Sequence, residues 1–349
     1  MKTLKNYLKT IPLAFILLTA CSKDNSSTIK EPSIYVSTIE FEEGKAGVVK
    51  LWKDGKTTDI TDGIHDAWVY DMYINGDDTY IVGNRQYDNN EYSTATVWKN
   101  GISTPLSNTT DYSYAHDIFV YNNDVYVVGR EKKDGEYDRA VLWKNGVSTY
   151  LTDGKNSAGA YGVFVNNNDV YVVGFESNSV HRPVAKLWKN GEGSNLIEGV
   201  LTMEDSSNAT SIYVHNNSVY IAFTESYSYG NSIAKLWKDG QITTLSDENH
   251  STNPRSLIVD DSENVYVTGY VIENKMHIAK LWKNGEETNL SDGIHHAYPE
   301  KITIHNNNTY VTGYTKMNSY DVATLWKNGE PIYLFEGDKD TYATGIFIK

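Results

Sequence analysis

The chain has 349 residues, 40% hydrophobic and 22% charged, with nine histidines, one cysteine and a formal net charge of −14. So acidic a protein lacks the lysine and arginine excess that neutralises phosphates, which excludes nucleic acid as an expected partner and disfavours electrostatic adhesion to anionic lipid. A single cysteine also excludes a disulfide framework within the chain.

Residues 1–20 read as an export signal. Lys2, Lys5 and Lys9 precede the apolar run Ile11–Leu18, which is too short to span a bilayer. The phrase "LTAC" resembles a bacterial lipobox, a resemblance that implies cleavage and lipidation of Cys21 by acyl chains such as palmitate. Ser22 after the cysteine resembles outer-membrane lipoproteins, so the expected location is the outer membrane, facing the periplasm or the cell surface, held by the lipid alone. Residues 21–32 are polar and serine-rich, the composition of a flexible tether. Cleavage would remove three lysines and no acids, taking the formal charge to −17.

From residue 33 onward the chain repeats. Trp52, Trp98, Trp143, Trp188, Trp237, Trp282 and Trp326 each open a W-K-[N/D]-G phrase, at spacings of 46, 45, 45, 49, 45 and 44 residues. That period belongs to propellers and arrays. Within the unit around Trp188, alternation predicts strands over 161–166, 169–175, 184–189 and 193–198. Asn-Gly and Asp-Gly supply the positive φ of a type I′ hairpin turn, so the phrase is expected to be structural, with tryptophan covering the neighbouring sheet. A tyrosine recurs in the second strand at Tyr35, Tyr80, Tyr126, Tyr171, Tyr220, Tyr266 and Tyr310, and reads as packing.

The two ends complement each other. Residues 33–38 form a second strand without a first, and 343–349 form a first strand without a second. The expected fold is therefore all-β over 33–349: a seven-bladed β-propeller of four-stranded antiparallel blades, closed by pairing 343–349 with the N-terminal blade. The pattern resembles bacterial (Bacteroidetes-like) β-propeller repeat lipoproteins with W-K-N-G hairpins. It has neither the paired GH and WD signature of WD40 blades nor the double glycine of kelch. A likeness of fold transfers no activity.

Strand order puts the variable second-to-third loops and the blade-to-blade return loops on one face, leaving tight turns on the other. Variable loops on a repetitive scaffold are where binding residues gather. Sixteen residues after the repeat tryptophan stand Trp68, Tyr114, Tyr298 and Tyr342, an incomplete aromatic ring at the expected channel mouth. It is able to stack on sugars or hold an apolar side chain, or else to wedge between blades. Just inside come Asp71 and Asp117 with Gly162, Ser211, Ser256, Lys301 and Gly345; the aspartates could accept hydroxyls or remain solvated carboxylates.

No residue is singled out as catalytic. His65, His116, His295 and His296 lie in return loops near acids, without an HExxH, CxxC, P-loop or GxSxG phrase, and no metal or cofactor is implied. Loops of about 5 to 12 residues are ordinary connections. The expectation is thus a non-enzymatic binding propeller that presents its loop face to a glycan or envelope protein, with a lyase or glycoside hydrolase at the channel mouth as the alternative.

Overall fold

A computed structural model describes residues 31–87, 92–108, 112–133, 135–197, 205–227 and 231–349. Cys21, the export signal and nearly all of the tether lie outside the described residues. Ser33–Lys349 forms one compact unit. It is the expected propeller, with seven four-stranded antiparallel sheets arranged as blades in a ring. Blade 1 is assembled from both ends of the unit: its innermost strand, Asp340–Ile348, pairs with Ile34–Phe41. The innermost strands of blades 2 to 7 are Ala67–Asn75, Tyr112–Tyr121, Ala158–Asn166, Ser206–His215, Ser251–Val259 and Ala297–His305. In blade 4 the inner strand starts at Ala158, earlier than alternation predicts, and the outermost strand is the shorter Glu192–Asn195.

The repeated phrase is structural in each of its letters. The asparagine or aspartate of every copy has φ between 45° and 53°, and the following glycine between 80° and 92°, the left-handed pair of a type I′ turn. In all seven copies its side-chain oxygen also accepts the backbone N–H that begins the second strand, at 2.8–2.9 Å. Five of the seven tryptophans are no more than 1% exposed. Trp143 of blade 3 packs among Tyr80, Val82 and Ala95 of blade 2, so each such ring joins its blade to the one before. The lysine of each copy places its ammonium 4.7–5.5 Å from the centre of the recurring tyrosine ring. Together these contacts build the plain face.

At the other end of the inner strands, every blade carries a β-bulge. In blade 2, Val69 pairs with Gly83 and Asp71 with Val82, leaving Tyr70 unpaired. The same step recurs in blades 3 to 7 and leaves out His116, Tyr161, Thr210, Arg255 and Glu300. In five blades a second-strand glycine makes room for it. A Cβ on Gly83, Gly129, Gly174, Gly269 or Gly313 would come within 1.8–2.2 Å of an inner-strand carbonyl oxygen. The bulge breaks alternation, and in blades 2, 3, 5, 6 and 7 two consecutive inner-strand residues line the channel mouth.

Candidate functional site: the channel mouth

Those bulge residues enclose a cavity of about 340 Å³ at the mouth of the channel. Tyr70, His116 and Tyr161 form an aromatic wall, with the His116 ring centre 4.9 Å from each tyrosine. Opposite stand Arg255 and Glu300, 3.7 Å apart, with Asn208 and Thr210 between the walls. The floor is Lys301, whose ammonium reaches from blade 7 to Asp71 Oδ2 and Asp117 Oδ1, 2.7 Å each, on blades 2 and 3.

Burial and pairing divide the charges of this site. Burial pushes Asp71 well above the usual carboxylate range, with Lys301 pulling against it and Asp117 adding to it. Burial acts the same way on Asp117, but Lys301, Asp71 and the N–H of Val163 at 2.7 Å outweigh it, and its pKa falls below the ordinary value. The pair is thereby split, with Asp71 the harder of the two carboxyls to ionise and Asp117 the easier. Burial alone would lower Lys301, yet the two aspartates raise it, so the ammonium remains charged. Glu300 is raised by burial and partly drawn back by Arg255. His116 is pushed down to about 3 by burial and by the Arg130 guanidinium, and so is neutral near pH 7. Burial carries Tyr70 up to about 12.

Asp117 has a second task that explains its place. Its Oδ2 takes the Val163 N–H of the next blade, as Ser211 Oγ takes Leu257 N–H at 3.0 Å and Ser256 Oγ takes Ile302 N–H at 3.3 Å. The position is a blade-to-blade latch, and in blade 3 the latch carries a charge.

The aromatic residues singled out by spacing lie elsewhere. Trp68 packs on Phe41 and Tyr342, 5.4 Å from each; Tyr298 stacks on Tyr314 at 4.8 Å and abuts His277; Tyr342 meets Tyr314 at 4.8 Å and hydrogen-bonds Asp321. Tyr114 lies under the Arg130 guanidinium. These four fill seams between strands and blades around the mouth, whereas Asp71 and Asp117 line the cavity itself. Tyr161, which the spacing places two positions late in the aromatic ring, does line the cavity, whereas Tyr70, Arg255 and Glu300 escape a reading by alternation because the bulge turns them inward. The recurring second-strand glycine is the sequence signal that marks it. Among the described residues, no cluster of three or more His, Cys, Asp or Glu could hold a metal ion.

No family model and no curated protein matches the chain. Solved structures do. A puromycin-hydrolysing peptidase from Mycobacterium tuberculosis aligns with a TM-score of 0.57 and 9% identity over 86% of this chain and 53% of its own. A prolyl endopeptidase aligns at 0.50 and 9% over 91% and 50%. The β-propeller domain of the Trilobed protease from Pyrococcus furiosus aligns at 0.53 and 12% over 88% and 97%. The chain spans about half the length of the two whole peptidases and matches nearly all of the isolated propeller domain. At this identity the likeness is one of fold.

These matches correct the expectation of a non-enzymatic propeller presenting a loop face to a glycan or envelope protein, since the propellers it resembles come from peptide-hydrolysing enzymes. Short loops had favoured binding over catalysis. The bulge removes that argument, because it delivers ionisable side chains to the channel from the strands, without long insertions.

Proposed function

We propose that the chain is a hydrolase acting at the channel mouth on amide bonds of peptide-like substrates. Glu300 facing Arg255 across 3.7 Å is the observation that carries the reading. A carboxyl raised by burial is a stronger base than a solvated one, and a guanidinium held close without tight contact is free to engage a substrate carbonyl. In this scheme Glu300 removes a proton from water as its oxygen adds to the carbonyl carbon. Arg255 and Lys301 stabilise the oxyanion. The C–N bond then breaks as Glu300 returns the proton to the leaving amine. The peptidases among the structural neighbours suggest the class of bond. Incubating the purified chain with a defined peptide mixture and identifying products by mass spectrometry tests the reading; intact peptides after prolonged incubation would refute it.

The leader and the "LTAC" phrase support an anchored form, lipidated at Cys21 and held at the outer membrane. This is the location proposed for the enzyme, as in the W-K-N-G repeat lipoproteins it resembles in sequence pattern.

A further inference from the structure

We infer, resting on the hydrolase reading above, that the mouth cavity receives the free amino end of a peptide, so that the enzyme acts from the N-terminus.

The channel is closed to threading. Lys301 spans it from blade 7 to Asp71 and Asp117. One layer deeper the rings of Phe347, Tyr73, Phe119, Phe164 and Tyr213 touch in succession, with centres 4.6–5.5 Å apart. A second, apolar space of about 170 Å³ lies among these rings, below the charged floor. An extended chain entering from the loop face therefore stops at Lys301. The mouth cavity has the volume of a small-molecule site and suits a chain end better than a passing segment.

The polar atoms around the cavity select which end. Three cavity-lining side chains carry a buried polar atom without a hydrogen-bond partner: Asp71 Oδ1, Asn208 Oδ1 and His116 Nε2. Buried polar atoms are almost always paired, so three around one cavity point to a ligand. The Asn208 oxygen only accepts, and a neutral imidazole offers one accepting nitrogen. The mouth's own cations already face carboxylates, Lys301 between Asp71 and Asp117 and Arg255 beside Glu300. At Asn208 Oδ1, and at His116 Nε2 in the tautomer that leaves it unprotonated, what remains unmet is the need for a donor; Asp71 Oδ1 demands one only when its carboxyl is ionised. A terminal ammonium brings three donors and is attracted by Asp117, which the Glu300→Gln variant keeps. A terminal carboxylate would bring acceptors to Asn208 Oδ1 and would meet Arg255 and Lys301 only in competition with Glu300, Asp71 and Asp117.

Calorimetric titration of the Glu300→Gln variant, which holds turnover aside, with trialanine, N-acetyl-trialanine and trialanine amide provides the test. We expect acetylation to weaken binding about tenfold or more, the loss of charge-assisted hydrogen bonds, and amidation to change it less than about twofold. Asn208→Leu should weaken trialanine to the level of its acetylated form, while Asn208→Asp, which keeps the acceptor, should retain the preference; melting curves confirm that each variant is folded. Equal binding of the free and acetylated peptides, a larger loss on amidation, or no binding of trialanine would overturn the inference. If the wild type cleaves acetylated peptides as fast as free ones, hydrolysis stands and amino-end recognition falls. If it cleaves nothing yet Glu300→Gln binds with the expected preference, recognition stands and hydrolysis falls.

Discussion

A Cβ on Gly129 would lie 1.8 Å from the carbonyl oxygen of Tyr114. This contact ties a glycine of the second strand to the bulge that turns His116 toward the channel. Gly129→Ala should therefore force the bulge apart, costing on the order of 3 kcal/mol of stability. Chemical denaturation checks the value; a midpoint equal to wild type would mean that the bulge yields freely.

The ionic floor should respond to pH in a defined direction. Asp71 has a raised folded pKa, so its contribution to stability falls as pH climbs from the unfolded to the folded value. Asp117 has a lowered one, so its contribution is present above the unfolded value and is lost as pH falls through the folded value. Lys301→Met leaves two buried carboxyls without their cation and should cost roughly 3–5 kcal/mol at neutral pH. The deficit should shrink at pH 5, where the carboxyl left ionised at neutral pH, no longer held so by Lys301, takes up a proton. Urea midpoints at the two pH values measure it, and a deficit that grows on acidification would contradict the assignment.

Trp68 and Tyr298 lie in seams between blades rather than in the cavity wall. Their replacement by alanine should lower stability by about 2 kcal/mol or more each, with turnover per folded molecule within about twofold of wild type. Melting and activity assays on the same samples separate the effects. A loss of activity without a loss of stability would return these rings to the binding surface.

Cys21→Ser should move the protein from the membrane fraction to the soluble fraction without altering its melting curve. Unchanged retention after fractionation would remove the lipid anchor from the account.

The fold was legible where physics repeats. W-K-[N/D]-G appears seven times because each copy needs the same left-handed turn and the same cap on the neighbouring strand. Ring closure was legible because the two half-blades at the ends are complementary in pattern. The cavity was only half legible. Asp71, Asp117 and Lys301 stood out at one register position, but their ion pairing joins residues 230 and 184 positions apart, which no local pattern encodes. Glu300 and Arg255 were hidden because strict alternation misassigns the residue that a bulge adds, and nothing but the interior glycine of the partner strand announces that extra residue.

The central claim is that Glu300 acts on substrate in the mouth cavity. The most direct measurement is kcat/KM for a peptide cleaved by the wild type, compared with Glu300→Gln at matched melting temperature. The account predicts a fall of about 10² to 10⁴, carried mainly by kcat, as expected for removal of a general base. A variant that cleaves at the wild-type rate would contradict it.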